Sequence, residues 1–243
     1  MELSKRLQTL ADMVTPGNRI ADIGCDHGFV SIYLCEKHIS PKVYAMDVRK
    51  GPLSRAEEHI TAHGLTDYIE TRLSDGLDAL KADEAEAVIC AGMGGRLMAR
   101  ILLEGLSKVM QMKELILQPQ SEPAFFRQFL HKHHLVIVEE RLVKEEGKFY
   151  PMMRVLPHGD EALYPPFDGN GLLTLEEAKR VSDTYGALLL WQKHPLMQEY
   201  LTLLLNRNKG ILSSLPLNGQ EKRRAEIGQE LSDMEKCLLW LAG

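Results

Sequence analysis

Arg19-Ile-Ala-Asp-Ile-Gly-Cys-Asp-His-Gly28 decides the fold, because an apolar run leads straight into a turn that carries glycines and acids together. Residues 19–24 read as a buried strand, and Gly28 opens a helix. The glycines at 24 and 28 are spaced G-x-x-x-G. A nicotinamide fingerprint is G-x-G-x-x-G and needs a glycine where Asp26 stands. The difference is chemical. Pyrophosphate binds backbone N–H groups at a helix N-terminus and tolerates no carboxylate beside it. S-adenosyl-L-methionine carries a sulfonium and an ammonium and no phosphate, so acids at this turn favour that methyl donor as the cofactor. Asp22 is placed to receive its ammonium, directly or through water, and Gly24 and Gly28 allow the positive φ and close approach that side chains forbid.

The next strands end the same way. Val43-Tyr-Ala-Met-Asp47 closes on a carboxylate that can accept both ribose hydroxyls, and Asp75-Gly76 follows the third strand, where methyltransferases of this class hold the adenine amine. Any one of these acids is equally explained as a helix cap or turn former. Three of them at the C-terminal ends of three successive strands mark the ligand crevice of an open α/β sheet. Ala87-Val-Ile-Cys-Ala-Gly-Met-Gly-Gly95 is a buried strand running into a glycine-rich turn. Tight packing explains that turn, and so does room for a flat ring to approach a methyl group. Enzymes of this class that act on exocyclic amines place Asn or Asp before Pro-Pro here. This chain does not, which suits a ring nitrogen that brings its own lone pair.

Outward from the turn, Leu7, Leu10 and Met13 lie at helical spacing before a Thr15-Pro-Gly turn. Strand-like segments at 42–47, 68–74, 87–91 and 114–118 alternate with helix-like ones at 28–38, 52–64, 95–109 and 122–134. Such alternation predicts βαβ units and a parallel sheet covered on both faces. Residues 135–143 and 148–156 then form a hairpin across Lys144-Glu-Glu-Gly147. The expected fold class is α/β, a Rossmann-like methyltransferase sheet, parallel with an antiparallel final strand, followed by a C-terminal antiparallel helical or coiled-coil subdomain.

A stretch rich in Pro, Gly and Asp at 157–171 reads as the linker, which sets residues 1–160 as the cofactor-binding catalytic domain and 161–243 as the helical domain. Thr174-Leu-Glu-Glu177 is a capping box, continued by Ala178, Val181, Tyr185 and Leu188. Pro195 sits where the first turn of the next helix begins, with Leu196, Tyr200, Leu203 or Leu204, and Ile211 as its stripe. After a turn at Leu215-Pro-Leu-Asn-Gly219, Ile227, Leu231, Met234, Leu238 and Leu241 are spaced as a heptad seam. This pair either buries its own core or forms a binding arm.

Composition mainly excludes. A chain of 243 residues buries a self-sufficient core, and its four cysteines, at 25, 35, 90 and 237, form no C-x-x-C pair, so neither zinc nor a disulfide framework is expected. No apolar run approaches the roughly 18 residues of a membrane span. The reading is a cytoplasmic protein with no membrane association, no metal and no obligate protein partner. His131-Lys-His-His134 offers only His131 and His134 on a common helix face, a poor metal site. A net charge of −5 argues against coating nucleic acid through bulk charge.

The combination of Asp22-Ile-Gly-Cys-Asp-His-Gly28, Ala91-Gly-Met-Gly-Gly95, Leu117-Gln-Pro-Gln120 and Tyr185-Gly186 before a helical tail resembles the bacterial tRNA (adenine-22-N1)-methyltransferases over nearly the whole chain. The resemblance implies methylation of N1 of an adenine in tRNA. It adds His27, Gly92 and Met93 to the cofactor set, and implies Met93, Gly94, Arg96, Gln118 and Tyr150 for substrate. Phe149 is a further stacking candidate, and Arg100, Lys148 and Arg154, with Lys222, Arg223 and Arg224 on the tail, are phosphate candidates. Asp26 either caps the helix after it or catalyses, by accepting from the adenine N6 as positive charge develops. A small-molecule or protein methyltransferase on the same fold is the alternative, and a non-catalytic cofactor-binding module with a recruiting coiled coil a third.

Overall fold

The computed structural model describes residues 1–216 and 218–243 and divides into two compact units, Met1–Tyr164 and Pro165–Gly243. The first unit runs α1 (Lys5–Ala11), β1 (Ile20–Ile23), α2 (Phe29–Glu36), β2 (Val43–Asp47), α3 (Lys50–Ala62), β3 (Ile69–Leu73), β4 (Ala87–Gly94), α4 (Gly95–Glu104), α5 (Leu106–Val109), β5 (Glu114–Ser121), α6 (Pro123–Lys132), β6 (Val136–Glu145) and β7 (Lys148–Leu156). Among the described residues these strands form one 7-stranded sheet in the order β3-β2-β1-β4-β5-β7-β6. Neighbours from β3 to β5 are parallel, whereas β7 is antiparallel to both β5 and β6. Every residue of β1 and β2 is buried, as expected of strands covered on both faces.

Several local expectations change. The single helix read over 95–109 is two, interrupted at Gly105, whose backbone at φ −92 and ψ 15 leaves the helical region and which packs so close to Leu77 that a Cβ would fall 2.6 Å from Leu77 Cδ1. β4 extends to Gly94 by pairing irregularly with β5, Met93 opposite Pro119 and Gly94 opposite Ser121, so the glycine turn is part of the sheet edge. α6 ends at Lys132, and His134 lies beyond it at φ 55 with Nδ1 2.7 Å from Glu161 Oε1, so the two histidines share no helix face. Among the described residues no group of three or more His, Cys, Asp or Glu is placed to hold a metal, and no helix is long and apolar enough to cross a membrane.

Part of the stretch read as linker is packed. Tyr164 is buried and donates its hydroxyl to Glu140 Oε2 at 3.3 Å, and Glu140 pairs with Arg127 at 2.9 Å in a wholly buried bridge between α6 and β6.

The second unit contains α7 (Leu175–Tyr185), α8 (Ala187–Trp191), α9 (Met197–Ser214) and α10 (Glu221–Ala242). Both halves of the capping box form at Thr174 and Glu177. The stripe on α9 is one residue later than expected. Met197, Leu201 and Asn208 are buried while Leu203 and Ile211 are exposed, and a one-residue slip turns a helix face by about 100°. On α10, Ile227, Leu231 and Met234 are buried as read, but Cys237 rather than Leu238 completes the row, and Asp233 is buried beside it. The turn read at Leu215–Gly219 includes Leu217, which lies outside the described residues.

Candidate functional site

The C-terminal ends of β1 to β4 open into a cleft of about 600 Å³. Asp22, Gly24, Asp26, His27, Asp47, Asp75, Gly76, Gly92 and Met93 all line it. Asp22 is 5% exposed and accepts from Ser31 Oγ at 2.6 Å. Burial drives its carboxyl up to about 6; the Ser31 hydrogen bond opposes this and the nearby Asp47 charge adds to it. Asp47 is also buried, with Oδ1 accepting the Arg49 backbone N–H at 2.8 Å. That contact leaves Oδ2 for a ligand hydroxyl.

Two glycines are required here. Gly24 has φ 71, which strains any side chain there, and its bare Cα is where the Met93 methyl from the β4 turn packs. Gly76 has φ 54, and its Cβ would fall 2.8 Å from Ile101 Cγ2.

Asp26 is a non-glycine residue at φ 49, with a side chain 64% exposed and His27 Nε2 3.8 Å away. The helix it precedes is capped by Gly28 without any side-chain hydrogen bond, which removes the capping role. A left-handed non-glycine residue in the cleft whose carboxylate is mostly exposed is a pointer to function.

Other expected residues lie outside the cleft or are already engaged. Gly28 meets the Ala56 Cβ and serves packing of α2 on α3 rather than the cleft. Gly94 approaches Ser121, and Arg96 is ion-paired with Glu122 at 2.6 Å while lying 4.5 Å from the Phe125 ring centre. Gln118 is fully buried, and Tyr150 packs against the core cluster; both reach the cleft only through Arg6. Arg100 forks onto both oxygens of Asp75 at 2.9 and 3.3 Å, so the acid expected to read an adenine amine already has a partner. Arg154 is held by Glu139 at 3.2 Å, Arg223 by Glu226 at 3.2 Å, and Arg224 donates to Leu212 O and Leu215 O, closing the C-terminus of α9. Lys148 is exposed in the β6–β7 hairpin, and the Phe149 ring lies 5.8 Å from Lys144 Nζ.

Sequence reading missed the contribution of α1. Arg6, Leu7 and Leu10 line the cleft, although α1 was read only for its apolar face. It also missed a rim of stacked rings, with His27 5.3 Å from Phe29 and Phe29 5.2 Å from His59. The aromatic at 29 and the histidine at 27, two apart in a helix-opening turn, were the available signal.

The residues fit S-adenosylmethionine. Asp22 and Asp47 would offer carboxylates to an ammonium and to ribose hydroxyls, Asp75 borders the cleft with Arg100 across it, and Gly24 leaves the backbone bare at the turn. A pyrophosphate would meet repulsion from the same set.

Residues 3–153 match the family model described as Methyltransferase domain. The chain is 31% identical over 98% of its length, and 96% of the relative's, to the tRNA (adenine(22)-N(1))-methyltransferase of Bacillus subtilis. Among solved structures, it resembles the B. subtilis M1A22 tRNA methyltransferase with TM-score 0.83 and 28% identity, covering 98% of this chain and 99% of that one. A Streptococcus pneumoniae protein in complex with S-adenosyl-L-methionine matches equally, with TM-score 0.83 and 28% identity over 98% and 100% of the two chains.

Proposed function

The chain belongs to the tRNA (adenine(22)-N(1))-methyltransferase family, and on that premise we propose how its residues transfer a methyl group from S-adenosylmethionine to N1 of adenine 22 in tRNA. The observation that carries the reading is the convergence of Asp22, Asp47 and Asp75 with the Gly92–Met93 turn in one cleft at the ends of four adjacent strands.

When bound, the cofactor supplies a methyl group on a positively charged sulfur. Asp22 holds its ammonium and Asp47 its ribose hydroxyls, through the oxygen that Arg49 leaves free. Asp75, with Arg100 across it, borders the adenine. Met93 and Gly92 shape the opening through which the acceptor base approaches.

Adenine N1 brings its own lone pair, so the N–C bond forms as the S–C bond breaks and its electron pair stays on sulfur. No base is needed before transfer, and positioning supplies most of the acceleration. The product ring is cationic and its N6 protons are more acidic, which is where the exposed carboxylate of Asp26 acts, by accepting from N6. N1 is engaged in folded tRNA, so the base must leave its stack to reach Met93.

The helical unit, read from composition as 161–243, also contacts the tRNA, and a tRNA substrate fits a cytoplasmic enzyme. The test is transfer of labelled methyl from the donor into a tRNA transcript with adenine or guanine at position 22, followed by nuclease digestion and detection of N1-methyladenosine. Label only in the adenine-22 transcript is expected. Incorporation into a protein or metabolite extract instead would sink the reading.

A further inference from the structure

Arg6 puts a cation in the wall of a cleft whose ligand is itself a cation at sulfur. It reaches the cleft from α1, donates Nη1 to Gln118 Oε1 at 3.0 Å, and lies 5.4 Å from the centre of the Tyr150 ring. Its Nε is 3.9 Å from Glu145, which also accepts the Arg6 backbone N–H at 3.0 Å. The turn after β4 is beside it, since a Cβ on Gly92 would lie 3.8 Å from Nη1.

Strand order assigns Arg6 to one half of the cleft. Asp22, Asp47 and Asp75 sit at the ends of β1, β2 and β3, on one side of β4, whereas Gln118, Glu145 and Tyr150 belong to β5, β6 and β7, on the other. The anchors of Arg6 are therefore across β4 from the carboxylates that suit the cofactor. Gln118 is opposite the cleft residue Ala91, and Gln120, two further along β5 on the same face, lines the cleft.

The chemistry of the pair also selects its ligand. An arginine only donates, so Gln118 turns its oxygen to Arg6, and its Nε2 is buried with no hydrogen-bond partner among the described residues. Arg6 and Gln118 together offer donors and no spare acceptor. A buried donor without a partner is costly, and with Glu145 facing only Nε at 3.9 Å and Gln118 taking Nη1, the remaining guanidinium donors are the ones an incoming anion would take beside a developing cationic ring. A base that leaves its stack brings its own phosphates with it.

We propose that Arg6 is a substrate-positioning residue that binds a phosphate oxygen of the acceptor nucleotide, with Gln118 and Tyr150 fixing its guanidinium. The proposal rests on the tRNA reading above. The fork geometry of arginine suits a phosphate better than the point charge of lysine.

The experiment uses the full chain with Arg6→Gln, Arg6→Lys and Gln118→Leu, an adenine-22 tRNA transcript, and S-adenosylhomocysteine and 5′-methylthioadenosine as calorimetric probes. Arg6→Gln is expected to raise the KM for tRNA about tenfold, with homocysteine-product affinity within about twofold and the slope of log KM against log salt lower by about one. Arg6→Lys keeps that slope but not the KM, and Gln118→Leu moves KM in the same direction by less. An unchanged KM in a folded Arg6→Gln protein overturns the proposal. So does weakened binding of S-adenosylhomocysteine with unchanged binding of methylthioadenosine, which lacks the amino-acid group, because that pattern assigns Arg6 to the cofactor carboxylate. Failure of the tRNA reading looks different: the unsubstituted protein then transfers no methyl to tRNA.

Discussion

Asp22 ionises against opposing demands. In the folded chain its carboxyl titrates at about 6 against an ordinary value of 3.8, chiefly because it is buried. The ionised form is therefore a cost to folding, absent below 3.8, growing as the unfolded chain ionises first, and complete above about 6. A bound ammonium reverses the shift, so cofactor binding releases a proton. Affinity for S-adenosylhomocysteine should be flat above pH 7 and weaken between roughly pH 6 and 5, and Asp22→Asn should abolish that dependence. Calorimetry across pH decides it, and a flat profile in the unsubstituted protein takes Asp22 out of the ammonium site. Asp26 carries the second residue-level prediction. Asparagine tolerates the left-handed backbone found there, so Asp26→Asn keeps the turn and removes only the charge. Turnover should drop about tenfold or more, the worth of a hydrogen bond to a charged group at roughly 1.5–3 kcal/mol, with product affinity and melting temperature unchanged. Normal kcat with lost cofactor binding would make Asp26 a cofactor support. Asp22 and Asp26 were legible because both lie within three residues of the C-terminal end of β1. Arg6 was not, since its partners Gln118 and Glu145 are 112 and 139 positions away.

Elements were readable wherever periodicity was enforced by burial on both sides, as in β1 and β2, and less so where one face is wet. On α9 the apolar residues at 196–197, 200–201 and 203–205 fit either of two stripes, and only tertiary packing chooses Met197 and Leu201 as the buried ones. Charge was misread for a similar reason. Arg224 looks like a phosphate contact in sequence but satisfies two carbonyls at the end of α9, which a helix terminus otherwise leaves to water. The buried Arg127–Glu140 bridge between α6 and β6 gives a prediction at this scale. Glu140→Ala leaves a guanidinium that is 1% exposed without its anion and should cost about 3–5 kcal/mol, measured by urea unfolding. Pairing it with Arg127→Met should recover most of that loss. Equal destabilisation by the single and double variants would show that packing around the site, not charge, sets its stability.

The two compact units make a prediction for the whole molecule. All the residues lining the cleft, from Arg6 to Gln120, belong to Met1–Tyr164, so a chain ending at Tyr164 should fold and bind S-adenosylhomocysteine like the full protein. It should lose tRNA methylation at low tRNA concentration, and retention of full turnover there would reduce the helical unit to a structural appendage. Alternation and the terminal hairpin made the sheet itself legible. The break at Gly105 and the extension of β4 to Gly94 were not, because both depend on neighbours that the local pattern does not contain. The hairpin also orders events in time. β6 leaves the ribosome before β7 yet lies outside it in the sheet, so β5 stays a bare edge until Leu156 has emerged and the hairpin closes. Arg6 waits for Glu145 and Tyr150 in the same way. The half of the cleft that suits the small molecule is therefore translated before the half that faces the nucleotide, and the methyl donor can steady the nascent protein before any RNA is engaged.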